Sequence, residues 1–402
     1  MENNYIYDAK GVGIYLNCAK LYIYGGKICN NEGINNSDIS SNKNSTNNNN
    51  LNLYGLLQRC LGIAIFCESY SKLYLYKGEI SNNCAKNNAK SNLIEPKEKT
   101  VTNLSQIINC IYGSALYFTN TEFEMFDDFI IHNNSSILNS TLTIENNCKI
   151  SGSIYNSIRG GQIYANASQI KIYGGTIQIS NNKSERNINL APEKEEIRKT
   201  IKAIDLGGGI DFVNCKDIEI NNLKIKNCNS ERGGGIYLTN STMKIYNSEL
   251  KNNFAEGYGG AIYADNNCEI DLINTKILNN SAQDGSGGGI YANGNLLIDG
   301  ENSLISNNEA GTLGGGMIVK TRCLIKHCSI CNNKVKGSGG GIYADGELLL
   351  EKAKIFHNSC DKEGGGIYYK NSKKFLYDKN NIDSMIYDNT AANNVNNCNF
   401  LN

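Results

Sequence analysis

Three histidines, fifteen cysteines and one adjacent pair of aspartates are the residues of this 402-residue chain best suited to acid–base, metal or nucleophilic chemistry. Their spacing supports little of it. Polysaccharide hydrolysis needs converging carboxyls, one to protonate the leaving group and another to activate water or to attack. Asp127-Asp128 is the only paired aspartate, His132, His327 and His357 stand in no Gly-His-Gly, and Arg-Ile-Lys does not occur. A calcium-dependent lyase would want an acidic cluster beside a basic proton acceptor. Acids do recur before glycines at Asp205, Glu231, Glu256, Asp284 and Glu363, a pattern that equally suits a solvated turn. Cys328-x-x-Cys331, preceded by His327, has no second pair or histidine cluster to complete a zinc site. The expectation is no catalytic residue, no metal and no cofactor, with a carbohydrate-active enzyme kept as an alternative.

A column of aromatics is the better candidate for recognition. Tyr15, Phe66, Tyr117, Tyr164, Tyr237, Tyr263, Tyr291, Tyr343 and Tyr368 each follow a recurring aliphatic residue, with Asp211 and Ile318 as exceptions. Neighbours in a strand point to opposite faces, so an inward isoleucine means an outward tyrosine. Tyr237, Tyr263, Tyr291, Tyr343 and Tyr368 therefore form a candidate binding surface, able to stack on sugar rings or anchor a protein. The bland alternative is that the rings stack on one another and only stiffen the wall.

What positions these residues is a repeat. Gly-Gly-Gly-Ile-Tyr or a close variant returns with its aliphatic residue at Ile210, Ile236, Ile262, Ile290, Met317, Ile342 and Ile367, in steps of 26, 26, 28, 27, 25 and 25 residues. Its leading glycines are Gly207, Gly233, Gly259, Gly287, Gly314, Gly339 and Gly364, read as structural turns. A second landmark, an aliphatic residue and then asparagine three positions on, ends at Asn253, Asn280, Asn308, Asn333 and Asn358, which should stack as an amide ladder. The first half follows the same grammar at Ile14, Ile65, Leu116 and Ile163, with Asn31, Asn83, Asn134 and Asn182 as partners, but in steps of 51, 51, 47 and 47 residues.

Within a repeat the apolar residues alternate, and Ile23, Leu75, Ile172, Ile220, Ile245 and Leu272 fall into one column. Periods near 26 residues are too short for propeller blades and mean stacked coils. The reading is all-β: a single right-handed parallel β-helix over 1–402, with about three short strands per coil and roughly a dozen coils. Residues 11–182 are irregular coils with corner insertions near 32–61, 84–112 and 183–206; 207–370 are regular coils; 371–402 are a C-terminal coil or cap. The tract SSNKNSTNNNN should be a solvated loop, a short helix should follow Pro192, and 135–159 reads as one glycine-poor coil.

Paired G-G-[A/G]-I and [F/I/L]-x-x-N motifs repeated in this order resemble the polymorphic outer-membrane protein repeats of chlamydiae, over roughly residues 11 to 370. That resemblance implies a pectin-lyase-like β-helix displayed at a cell surface or secreted, adhering to host-cell or matrix protein or glycan. The chain departs from chlamydial members in opening MENNYIYDAK, without a secretion signal, and closing NNCNFLN, without the terminal barrel, so export is not inherited from the resemblance. No run of residues is long and apolar enough for a membrane helix. With 39 acidic and 39 basic residues the net charge is zero, which offers no electrostatic case for nucleic acid. An intracellular structural repeat protein is the remaining alternative.

Overall fold

A computed structural model describes residues 5–6, 10–36, 38–40, 56–88, 90–93, 103–104, 107–144, 149–150, 154–178, 180–190, 201–202, 204–370, 375–377, 386–393, 396 and 398–400. Among them there is no helix, and each strand pairs in parallel with its equivalent one coil away. The first strands of successive coils make one sheet of twelve, beginning at Ile14–Asn17 and ending at Cys398–Phe400. We number the coils 1 to 12 by these strands, so that coil 5 starts at Ile210–Val213 and coil 7 at Ile262–Ala264. The fold is a parallel β-helix, roughly 50 Å long at ~4.8 Å per coil.

A regular coil carries four strands rather than the expected three. In coil 7 they are Ile262–Ala264, Glu269–Ile273, Lys276–Leu278 and Ser281–Ala282. The fourth is only two residues long, too short for apolar alternation to reveal it. The second and third belong to one bent sheet, and in coils 2 and 3 they fuse into Lys72–Ser81 and Glu122–His132, the latter with an irregularity between Met125 and Asp128.

Inward side chains stack like on like. Ile23, Leu75, Met125, Ile172, Ile220, Ile245, Leu272, Ile298, Ile325 and Leu350 are successive register partners, and all but Ile23 are buried. Each buried aliphatic contributes ~1.5 to 3 kcal/mol, which offsets chain ordering only when neighbouring coils cover both of its sides.

The corners explain the two motifs. In coil 6's turn, Gly233 has φ +64°, a Cβ on Gly234 would collide with the carbonyl oxygens of Phe254 and Gly260, and one on Gly235 would sit 2.8 Å from the Ala261 carbonyl oxygen. The first glycine supplies the left-handed conformation and the second lets the coils approach; the third is less constrained, and alanine replaces it at Ala261. In the pair Asn-Asn the residues have separate tasks. Asn252, Asn279, Asn307 and Asn332 take positive φ, which asparagine tolerates better than most residues. The next residue enters the ladder: Asn253 Nδ2 donates to Asn280 Oδ1 at 3.0 Å, and Asn280, Asn308, Asn333 and Asn358 repeat the bond at 3.0, 3.0, 2.9 and 2.9 Å as far as Asn389. Each Oδ1 also accepts from the backbone N–H of the preceding asparagine, as Asn308 Oδ1 does from Asn280.

The insertions of coils 1 to 4 are themselves stacked. Glu32–Asn35, Cys84–Asn87, Ser135–Ile144 and Asn181–Leu190 pair in parallel, and the chain returns along Leu56–Leu61, Ile107–Tyr112, Ile154–Arg159 and Ile201–Lys202, which also pair. They form a lobe with its own small core of Val12, Cys60, Ile63, Ala85, Ile111, Leu138 and Ile158. Two expectations are corrected by this. The described residues of 135–159 are not a separate glycine-poor coil but strands in the third layer of the lobe, and the insertions are strand-built wherever they are described. The tract from 41 to 55 and the segment 191–200 after Pro192 lie outside the described residues. At the other end, Phe375–Tyr377, Ile386–Tyr387 and Thr390–Ala391 pair on the preceding coil.

Candidate binding surface

The tyrosines proposed as an outward surface do point away from the isoleucines, but they do not face open solvent. Tyr237, Tyr263 and Tyr343 are only 5, 7 and 8 % exposed, and Phe66 and Tyr164 are buried too, whereas Tyr291 and Tyr368 are partly buried. The rings stack, with centroids 5.0 Å apart for Tyr237–Tyr263 and Tyr263–Tyr291 and 5.1 Å for Tyr343–Tyr368. Cations cover them: Lys10 lies over Phe66, Arg159 over Tyr164, Arg232 over Tyr258 and Tyr263, and Lys320 over Tyr343. Burial pushes the Tyr263 hydroxyl up to about 12. Over most of its length this column is a wall of the solenoid, which corrects the reading of Tyr237, Tyr263 and Tyr343 as an open surface; Tyr291 and Tyr368 keep part of their surface, and Tyr15 in the first coil is 47 % exposed.

Coil 5 interrupts that wall. Asp211 replaces the aromatic between Tyr164 and Tyr237 and is fully buried. Arg159 reaches it with Nε 2.7 Å and a terminal nitrogen 3.3 Å from the two carboxylate oxygens. Burial raises the Asp211 carboxyl while the charge and hydrogen bonds of Arg159 pull it down. The asparagine ladder breaks nearby. Asn31 and Asn83 donate to Asn83 and Asn134 at 2.8 Å each, but coil 4 presents Ser180 in ladder register, and Asn182 sits two residues further on, beside Ser136. The side chain of Gln162, standing where other coils have the third glycine or alanine, accepts instead from Asn134 Nδ2 at 2.6 Å. Cys228 holds the next ladder position and donates its backbone N–H to Asn253.

A second aromatic column, unremarked in the sequence, runs along the outer side of the second strands. Tyr24, Tyr76, Phe126 and Tyr173 stack one per coil across coils 1 to 4, with centroids 4.8, 4.5 and 5.2 Å apart. Tyr22 and Tyr74 stack beside them at 4.7 Å. Here the two end rings meet solvent, Tyr24 at 70 % and Tyr173 at 37 % exposure, while Tyr76 and Phe126 between them are partly buried. The sequence signal was an aromatic at a fixed place in KLYIYGG, KLYLYKG, EFEMFDD and QIKIYGG, visible only when the four long coils are aligned on their second strands. Asp127, one of the paired aspartates, leans across bare Gly174 to accept from Asn222 Nδ2 at 3.3 Å.

Polar grooves follow the same face along the axis. Tyr70, Lys72, Glu122 and Gln169 line one, Gln169, Lys171, Asn214 and Asp217 the next, and Asp217, Glu219, Lys244, Tyr246, Glu269 and Asp271 a third of about 310 Å³. Shared residues make them successive stretches of one shallow trough from coil 2 to coil 7. Outside the trough, Glu79 gathers Lys27 at 2.8 Å, His132 at 3.0 Å and Ser81, and the bonds from Lys27 first, then Ser81, depress its carboxyl to about 2.

The other chemical candidates are dispersed. No group of three or more His, Cys, Asp or Glu among the described residues is placed to hold a metal ion. Cys328 is buried, whereas its neighbour His327 turns outward to bond Asp299 at 3.1 Å. Cys215, Cys268 and Cys323 fill the interior, and burial raises the Cys215 and Cys228 thiols to about 11 and about 12, so neither offers a thiolate near neutrality. No helix among the described residues is long and apolar enough to cross a membrane. No family model, curated protein or solved structure matches the chain.

Proposed function

We propose that this protein is a non-catalytic β-helix scaffold, adhesin-like and displayed at a cell surface or secreted, that contacts host-cell or matrix protein or glycan. The observation that carries the reading is the aromatic stack Tyr24–Tyr76–Phe126–Tyr173 on the second-strand face, exposed at both of its ends. Contiguous exposed aromatics are costly to leave in water and are enriched where proteins meet partners. The resemblance of the paired glycine and asparagine motifs to polymorphic outer-membrane protein repeats supports the same direction. The test is antibody labelling of intact, unpermeabilised source cells. Surface labelling upholds the proposal; labelling only after permeabilisation contradicts it and favours an intracellular structural repeat.

A second reading, a sugar-binding β-helix, is favoured by the polar trough along coils 2 to 7, whose direction suits an extended oligomer. A glycan array separates the two: a defined oligosaccharide hit that is lost on replacing Gln169 and Lys171 would favour the sugar reading.

A further inference from the structure

The exposed aromatic column stops at coil 4, but it resumes two coils on. Tyr173 and Asn221 follow the paired Ile172 and Ile220 by one residue, and Asn221 is the register partner of Tyr246. The column therefore reads Tyr24, Tyr76, Phe126, Tyr173, Asn221, Tyr246. Phe126 covers one face of Tyr173 at 5.2 Å; the other face looks toward coil 5, where a short amide replaces a ring. Asn221 Oδ1 is held aside by Asn247 Nδ2 at 3.1 Å. Two coil steps place Tyr173 and Tyr246 roughly 10 Å apart, room for one more ring at the ~5 Å spacing of the stack itself. The equivalent gap in the buried column is filled from within by Arg159 and Asp211, whereas this one is bounded by Tyr246, a lining residue of the 310 Å³ groove.

We infer that the gap between Tyr173 and Tyr246, floored by Asn221, is a notch that receives an aromatic side chain from a basic segment of a partner protein. Resting on the adhesin-like reading, this names the contact that reading requires. Charge selects the occupant. The groove beside the notch carries Asp217, Glu219, Glu269 and Asp271 against Lys244. Adding Asp127, Lys171 and Lys216, the surroundings hold five carboxylates and three ammonium groups. A net negative rim attracts lysine- or arginine-flanked aromatics and repels the phosphates of nucleic acid.

The chain has no tryptophan, so the indole of a pentapeptide with one tryptophan between two pairs of lysines reports its own binding by fluorescence anisotropy. Saturable binding is expected, with an alanine-centred peptide competing roughly tenfold more weakly. Asn221→Tyr completes the stack and should weaken binding at least tenfold while leaving the unfolding midpoint in place. Tyr173→Ser, which removes one wall, should weaken it as well and serves if Asn221→Tyr folds poorly. No saturable binding, equal competition by the alanine peptide, undiminished binding by both variants, or capture of neutral chitohexaose instead of the peptide would each overturn the notch. Surface labelling without peptide capture defeats the notch alone; peptide capture without surface labelling defeats the adhesin-like reading alone.

Discussion

Two aromatic columns climb the same solenoid and differ in what lies over them. The first-strand column, Tyr237 and Tyr263 among its members, is roofed by cations and rings from the residues that precede the glycines, Arg232 and Tyr258 in these coils. The second-strand column has no such roof over Tyr24. The ring spacing is nearly the same in both, about 5 Å, because coil spacing imposes it. Stacking is thus a property of any repeated aromatic in a parallel β-helix, and only the roof decides whether a column is wall or contact surface. The columns also break differently at coil 5, one sealed by a buried ion pair and the other left with an amide.

The largest effect should come from opening the sealed break. Asp211→Ala leaves Arg159 without its buried carboxylate and should cost about 3 to 5 kcal/mol by urea denaturation, whereas the double change Arg159→Leu with Asp211→Tyr, which restores an aromatic wall, should be near neutral or stabilising. Loss of stability in both would mean that the pair does more than fill the gap. Next, Tyr263→Ser removes a buried ring stacked on both sides and should cost ~3 kcal/mol, against under about 0.5 kcal/mol for Tyr24→Ser on the open column. Equal losses would erase the distinction between wall and surface.

A smaller contrast separates the asparagine ladders. Asn308→Ala strands the Nδ2 and N–H of Asn280 and the carbonyl of Ile277, and should cost about 2 to 3 kcal/mol. Asn139→Ala, in the exposed Asn36–Asn88–Asn139 ladder of the lobe, should cost under about 0.5 kcal/mol. The smallest effect is a pH dependence. The Glu79 carboxyl is depressed on folding from an ordinary value of 4.5 to about 2, so its contribution is fully present above the ordinary value and is lost as pH falls between the two. Glu79→Gln should flatten the acid limb of the stability profile across that window.

Much of this was legible in the sequence. The inward column through Ile23, Leu75, Ile172, Ile220, Ile245 and Leu272 follows from repeat spacing and alternation alone, and the parallel β-helix follows from the column. The lobe was not, because Glu32–Asn35 and Asn181–Leu190 are polar and lack alternation; they are strands because neighbouring coils supply their hydrogen bonds at matching register. The fate of the tyrosines was half legible. Alternation gives the side of the sheet, but the cover over Tyr263 comes from Arg232, far upstream in the chain. Ser180 was hidden behind Asn182 because the ladder position depends on register, and the role of Gln162 depends on that substitution.

The most direct measurement compares two triple variants, Tyr24→Ser/Tyr76→Ser/Phe126→Ser and Tyr237→Ser/Tyr263→Ser/Tyr291→Ser, by urea midpoint and by attachment to the cells or matrix that bind the wild-type protein. The first should lose attachment roughly tenfold with only a small fall in midpoint, and the second should unfold at much lower urea. A first variant that attaches normally, or a second that remains as stable as the wild type, would contradict the division into wall and contact surface.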